Sequence, residues 1–194
     1  NGRDLASRQM TAGVEARAVS GGINRLQVLW EQPHPMSAWH LGDITRIDNL
    51  ITGAEVRLVE AGPVRGVIEV RRDILHSHLV QRIILYRGLP RVEFETMIDW
   101  HERGSANADA PVLRATFTPM LRETKATFEI PFAGLTRTAS GDEVPALRWV
   151  DLSERDSTDE GAPQFGLALL NDGKYGHQAH GNTLGLTLVR AAYE

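Results

Sequence analysis

Alternation of apolar and polar residues is the feature that most restricts the fold of this sequence. If residues 64–71 form an extended chain, one face carries Val64, Gly66, Ile68 and Val70. The opposite face carries the charged residues Arg65, Glu69 and Arg71. Residues 91–98 alternate in the same way, which predicts an inward face of Val92, Phe94, Thr96 and Ile98. The Gly88–Pro90 turn separates this segment from an apolar run at 81–86, so the two predict an antiparallel hairpin.

The same pattern predicts further strands at 112–117, 125–132, 147–150, 165–170 and 184–189. In 125–132 the aligned side chains are Ala126, Phe128, Ile130 and Phe132, and Pro131 predicts a sheet edge or a bulge. Polar stretches at 139–143 and 153–163 are predicted to be loops. No segment keeps helical spacing for three turns. We therefore predict one all-β domain over residues 1–194, a large antiparallel β-sandwich.

Composition excludes several classes of function. The chain has 25 acidic residues against 21 Lys and Arg and shows no basic stripe, so we expect no nucleic-acid partner. Its apolar runs are too short to span a membrane. The absence of cysteine excludes a disulfide framework and a thiolate metal site, and it suits a cytoplasmic location. The first residue is not methionine, and we expect the chain to be a fragment of a longer protein.

Two polar clusters are candidates for binding. The first contains Asn171, Asp172, Lys174 and Tyr175 directly after an apolar strand. Its Asn-Asp-Gly stretch fits a tight turn, with Tyr175 as packing, but its amide, carboxylate, ammonium and phenol groups also suit the hydroxyls and C–H faces of a sugar.

The second cluster spans 33–40, where two prolines stiffen a segment that carries Trp39 and His40. An aromatic ring at position 39 can stack on a sugar or cap the core, and both interpretations stand at this point.

Other polar residues have ordinary structural explanations. Asp99 and Glu102 have the carboxylates that a glycosidase needs in pairs, but carboxylates at a strand end are usually solvated or paired with arginine. Of the seven histidines, those at 76 and 78 and at 177 and 180 form close pairs, the second pair in a predicted loop, but neither pair has a convincing third ligand. Enzymatic zinc sites usually have three protein ligands, so the sequence predicts no metal site.

Six motifs in order resemble the C-terminal β domain of glycoside hydrolase family 38, the class II α-mannosidases. The first runs from 26 to 40 and ends in Ser37-Ala38-Trp39-His40, where the family often has acidic residues at the positions of Ser37 and His40. The others are Glu60 to Arg65 ("E-x-G-P-V-R"), Ile98 to Glu102 ("V-D-W-H-E"), Phe128 to Arg137 ("E-I-P-F-G-x-x-x-R"), Arg148 to Ser153 ("R-W-x-D-L-S"), and Leu169 to Gly176 with Leu184 to Ala191.

The resemblance implies a galactose-mutarotase-like supersandwich that packs on N-terminal catalytic and helical domains. It implies a retaining, zinc-dependent α-mannosidase as the parent enzyme, with the nucleophilic aspartate and the zinc in domains that this chain lacks. The fragment would then hold no catalytic residue and be inactive alone. Its expected role is to brace those domains and to bring weak substrate-binding candidates, Trp39, His40, Asn171, Asp172, Lys174 and Tyr175, to an α-mannoside. Alternative functions are an autonomous carbohydrate-binding module and a mutarotase-like epimerase.

Overall fold

A computed structural model describes residues 22–121, 124–154 and 165–192. These residues form fourteen strands and no helix. The strands are β1 (Gly22–Glu31), β2 (Ile44–Asn49), β3 (Ala54–Ala61), β4 (Arg65–Ile74), β5 (Ser77–Tyr86), β6 (Val92–Asp99), β7 (Ala110–Thr118), β8 (Thr124–Ile130), β9 (Ala133–Arg137), β10 (Ser140–Pro145), β11 (Trp149–Glu154), β12 (Gly166–Leu170), β13 (Gly176–His180) and β14 (Thr183–Arg190). The predicted all-β class is confirmed. No helix in this part of the chain could cross a membrane.

The strands pair antiparallel in a sandwich of three sheets. A six-stranded sheet has the order β10-β13-β14-β7-β1-β2, and two four-stranded sheets have the orders β12-β11-β8-β9 and β3-β4-β5-β6. Their apolar sides share one core. The six-stranded sheet supplies Leu26, Val28, Leu113, Ala115 and Leu184, the second sheet supplies Ala126, Phe128, Val150 and Leu152, and the third supplies Ile74 and Leu79.

The six-stranded sheet has one apolar and one polar side, because its side chains alternate along each strand. In β7, for example, Leu113, Ala115 and Phe117 belong to the core, whereas Arg114 and Thr116 point to the opposite side. All but the last residue of β7 are buried, which makes it the most enclosed strand of the described chain.

The β3–β6 sheet is a meander, and its inner side extends beyond the hydrophobic core, so only part of that side is buried. Ile74 and Leu79 lie on this side and are 2% and 1% exposed. Farther along the same side, five aliphatic side chains are 38–67% exposed. This apolar face consists of Val56, Leu58, Ile68, Leu85 and Val92.

The predicted orientation of this sheet is therefore right for Phe94 and Ile98, which pack against the core, but Val92 is 44% exposed. On the outer side, Glu69 is only 2% exposed because three arginines cover it: Arg57, Arg71 and Arg82. Their hydrogen bonds lower the pKa of Glu69 to about 2. The carboxylate thus stays ionised beneath its arginines at neutral pH.

Two local predictions were wrong. Strand β8 ends at Ile130 and is an inner strand of its sheet, so Pro131 lies in the following turn and not at an edge or a bulge within a strand. That turn gives Phe132 a positive φ of 66° and leaves its side chain fully exposed, out of line with Phe128. The predicted loop at 139–143 is mostly strand β10, which pairs with β13. Of the other predicted loop, 153–163, Ser153 and Glu154 belong to strand β11, and residues 155–163 lie outside the described residues.

Candidate functional site

The two candidate clusters lie in loops at the same end of the six-stranded sheet. Residues 32–43, the Trp39 loop, follow the end of β1, and residues 171–175, the Tyr175 loop, precede the start of β13. Three antiparallel pairings connect β1 to β13 through β7 and β14, so the end of β1 and the start of β13 share one end of the sheet. The register places His177 level with Leu26, five residues before the end of β1, so the loops are separated along the strands as well as by three strand spacings of about 4.8 Å.

Glu31, the last residue of β1, holds the Trp39 loop in place. Its carboxylate is 2% exposed and accepts hydrogen bonds from Gly42 N at 2.6 Å, from His34 Nε2 at 2.9 Å and from Arg190 Nη2 at 2.8 and 2.9 Å. Burial alone would raise the pKa of Glu31, but the bonds from Gly42, Arg190 and His34 outweigh it and hold the pKa below its usual value. Arg190 also donates to His40 O at 2.9 Å, so one buried ion pair fixes both arms of the loop.

This loop presents an aromatic side chain and a shallow cavity to solvent. Trp39 is 81% exposed, which excludes the interpretation that it caps the core of the described chain. The rings of His34 and His40 are 4.8 Å apart between centroids and line a cavity of about 220 Å³ with Gln32, Pro33, Gly42 and Asp43. An exposed indole beside a polar cavity can stack on the C–H face of a sugar while polar groups meet its hydroxyls.

Asn171 and His177 fix the Tyr175 loop from inside. Asn171 Oδ1 accepts hydrogen bonds from Gly173 N at 3.0 Å and Lys174 N at 2.6 Å, which is the turn expected from the Asn-Asp-Gly stretch. Its Nδ2 donates to His177 Nε2 at 3.1 Å, and His177 Nδ1 donates to Tyr175 O at 3.2 Å. The Asn171 side chain therefore stabilises the Tyr175 loop.

The other side chains of the Tyr175 loop point to solvent. Asp172 and Lys174 are exposed, and Tyr175 is 61% exposed. Their side chains form no hydrogen bond or ion pair with the rest of the described chain. The predicted tight turn is confirmed, but the interpretation that the Tyr175 side chain packs against the domain is not. The carboxylate, ammonium and phenol groups remain available to a ligand or to another domain.

The remaining polar candidates have structural partners. Glu102 accepts hydrogen bonds from His76 N at 2.8 Å and Ser77 Oγ at 2.7 Å, and Asp99 lies 3.1 Å from His101 Nε2. His177 and His180 were predicted in a loop but lie on β13. Within residues 22–121, 124–154 and 165–192, no three His, Asp or Glu side chains are grouped as metal ligands would be.

The buried His177 should make stability depend on pH. Desolvation lowers its pKa, against a smaller opposing effect of the Tyr175 carbonyl. Below about pH 6.5 the unfolded chain takes up a proton on His177 before the folded chain does. The contribution of neutral His177 to the free energy of unfolding is therefore complete above that pH and is lost as the pH falls. We expect His177→Gln to flatten the fall in unfolding free energy between pH 7 and pH 5, measured by urea denaturation. A His177→Gln profile that falls as steeply as that of the unmodified chain would contradict the assignment.

Comparison with known proteins defines the class to which this sandwich and its paired loops belong. Residues 7–194 match the family described as "Glycosyl hydrolases family 38 C-terminal domain". The chain belongs to this family of glycoside hydrolase C-terminal domains.

Among named relatives, the chain is 34% identical over 200 residues to "Alpha-mannosidase 2C1" of Mus musculus and of Homo sapiens. It is 30% identical over 207 residues to "Alpha-mannosidase G" of Dictyostelium discoideum. These alignments cover 96–98% of this chain but 18% of each relative. The chain thus spans about a fifth of the length of the relatives that it matches.

Proposed function

We propose that this chain is the non-catalytic C-terminal β domain of a retaining α-mannosidase, which braces the catalytic part of the enzyme and brings two loops to its mannoside site. The observation that carries the proposal is the match of nearly the whole chain to one-fifth of proteins named as α-mannosidases. By this proposal the nucleophile, the helical domain and the zinc belong to the rest of the protein.

The bracing role is supported by the apolar face of the β3–β6 sheet. Leu58 pairs with Ile68 and Leu85 with Val92, and Ile83, which pairs with Ile68, joins the two pairs, so the face spans all four strands. A contiguous exposed apolar surface on a folded domain is typical of an interface. We assign it to the remainder of the same protein, because about four-fifths of each relative's length lies outside this chain.

The loop role is supported by the geometry at the end of the six-stranded sheet. Buried groups, Glu31 with Arg190 and Asn171 with His177, fix the two loops from below. The side chains above them, Trp39, Asp172, Lys174 and Tyr175, project outward. Such rigid support with exposed polar and aromatic tips is what a sugar site requires of a loop.

Zinc, which the family resemblance implies, has no counterpart in the described residues. Four of the seven histidines bond to nearby carboxylates and His177 bonds to an amide and a backbone carbonyl, and no group of three forms a ligand set in the described residues. We therefore derive no step of the reaction from this chain. Its contribution to turnover is to position and enclose the substrate.

The experiment that tests the proposal is mutation of the Tyr175 loop in the full-length protein. Asp172→Ala or Tyr175→Phe should lower kcat/KM for an aryl α-mannoside at least about tenfold, a loss of about 1.4 kcal/mol in transition-state binding, because each removes a polar group that no described residue uses. Stability should change by less than about 1 kcal/mol.

A matched control is Asp73→Ala, another exposed aspartate, which lies on β4 and pairs with His78. It should leave hydrolysis of the aryl mannoside unchanged. Unaltered kinetics in both loop variants would refute the site assignment, and unfolding of either would show that the loop is only a structural brace.

A further inference from the structure

The polar side of the six-stranded sheet contains a second, larger depression. It has a volume of about 470 Å³, and its floor includes Arg25, Gln27, Arg114, Thr116, Gln178 and His180. We name it the polar groove. Its lining residues all belong to strands of the six-stranded sheet, and none belongs to the Trp39 or Tyr175 loop. It is therefore separate from the candidate mannoside site.

A chain of side-chain hydrogen bonds crosses the floor of the polar groove. Gln27 Nε2 donates to Asn49 Oδ1 at 2.8 Å, and Gln27 Oε1 accepts from Arg114 Nε at 3.1 Å and Nη2 at 2.7 Å. On the other side, Arg114 Nη1 donates to Gln178 Oε1, and Gln178 Nε2 donates to Gly141 O. Both glutamine amides therefore have a fixed orientation, and the polar surface is preorganised for a ligand.

A glycine makes this arrangement possible. Strand β14 lies between β7 and β13, so the Arg114 side chain must cross β14 to reach Gln178. It does so over Gly185, where a Cβ would lie 3.1 Å from Arg114 Cδ and 3.2 Å from Gln178 Oε1. A side chain at position 185 would crowd both groups. The absence of a side chain at position 185 thus provides the space that the Arg114 guanidinium occupies.

Arg114 is held in the groove by neutral partners. Its side chain is 7% exposed, and this burial lowers its pKa, while the negative charge of the nearby Glu143 acts in the opposite direction. A guanidinium has five N–H donors, and the bonds to Gln27 and Gln178 use three of them, which leaves two outside these bonds.

The charges around the groove balance. Arg25 and Arg114 are positive, and Asp142 at the rim and Glu143 beside it are negative. This balance favours a neutral, hydroxyl-rich ligand over an anion. Adjacent hydroxyls of a sugar suit the paired donors of a guanidinium and the planar amides beside it.

We propose that the polar groove binds a neutral oligosaccharide, with Arg114, Gln27 and Gln178 as its hydrogen-bonding floor. The ligand would be part of a glycan away from the bond that is cleaved. The choice of a mannose-containing glycan rests on the proposed function, whereas the position and neutrality of the site rest on the groove alone.

The test is NMR titration of the labelled 194-residue chain with mannotriose. We expect saturable shifts of the Arg114 Nε–H and of the Gln27 and Gln178 amide resonances. Arg114→Lys keeps the charge but loses the fork of donors, and Gln178→Ala loses one acceptor. Each should weaken mannotriose binding at least about fivefold, while Arg71→Lys, the same change on the outer side of the β3–β6 sheet, should not alter it. The amide spectra of the variants report whether they remain folded.

Three outcomes would overturn the proposal: no saturable shift with mannotriose, shifts confined to the Trp39 and Tyr175 loops, or binding of mannose 6-phosphate without binding of the neutral sugar. Failure of the proposed function is seen separately, because it would appear as normal aryl mannoside turnover in the Asp172 and Tyr175 variants. If the loop variants turn over the aryl mannoside normally but the polar groove still binds mannotriose, the groove proposal stands.

Discussion

Replacing Glu31 by alanine should lower the free energy of unfolding by about 3–5 kcal/mol, the usual cost of removing one member of a buried ion pair. Arg190 is only 16% exposed and would keep its charge without the carboxylate that now pairs with it. Gly42 N and His34 would lose their acceptor as well. For a domain of this size the melting temperature should fall by about 10 °C. Thermal unfolding monitored by circular dichroism measures the change.

Glu60→Ala is the matched control. Glu60 also pairs with an arginine, Arg65, but both side chains are at least 40% exposed, so solvent replaces the lost contact. We expect no measurable change in melting temperature for this variant. Limited proteolysis adds a local readout, because the Glu31 variant should be cut faster within residues 32–43. Equal melting temperatures for the two variants would show that the buried pair does not support the Trp39 loop.

The second large effect is expected at the apolar face. In the full-length protein, Leu58→Glu should weaken the attachment of this domain by about 3 kcal/mol or more, since it removes buried apolar area and places a carboxylate in the interface. In the isolated chain Leu58 is 67% exposed, so the same change should be tolerated. Calorimetry measures the effect: one cooperative transition of the full-length protein should separate into two.

Met97→Glu separates this interface effect from the general effect of a new charge. Met97 is 64% exposed, nearly as much as Leu58, but it lies on the outer side of the same sheet. The variant should keep a single transition. If both substitutions act alike, or if Leu58→Glu leaves the full-length protein unchanged, then the apolar face is not the contact with the rest of the enzyme.

Much of the fold could be predicted from residue alternation because each strand has one side toward the core. The segments at 64–71, 81–86 and 91–98 are strands, and Phe94 and Ile98 face inward as expected. Alternation cannot show where the core ends, so Val92 was predicted inside although its part of the sheet extends past the core. Strand β10 was missed because Ser140, Gly141 and Asp142 are turn-forming residues and Glu143 has low strand propensity; their strand geometry depends on pairing with β13.

The candidate site was only partly predictable. The Asn-Asp-Gly stretch correctly indicated a turn at 171–173, since that conformation depends on local residues. The supports at Glu31 and Arg190, 159 residues apart, could not be found locally, because only the tertiary fold brings them together. The same holds for Arg114 and Gln178, which cross an intervening strand. Whether Trp39 and Tyr175 contact a mannoside stays a prediction.

The place of β14 between β7 and β13 has a consequence for synthesis on the ribosome. The β3–β6 meander pairs only neighbouring strands and can form as soon as it emerges, but one edge of β7 has no partner until residues 183–190 appear. At about 5–20 residues per second, this hydrophobic edge stays open for several seconds. An open strand edge is a template for pairing with other chains, so nascent domains are open to association with one another until β14 closes this edge of β7.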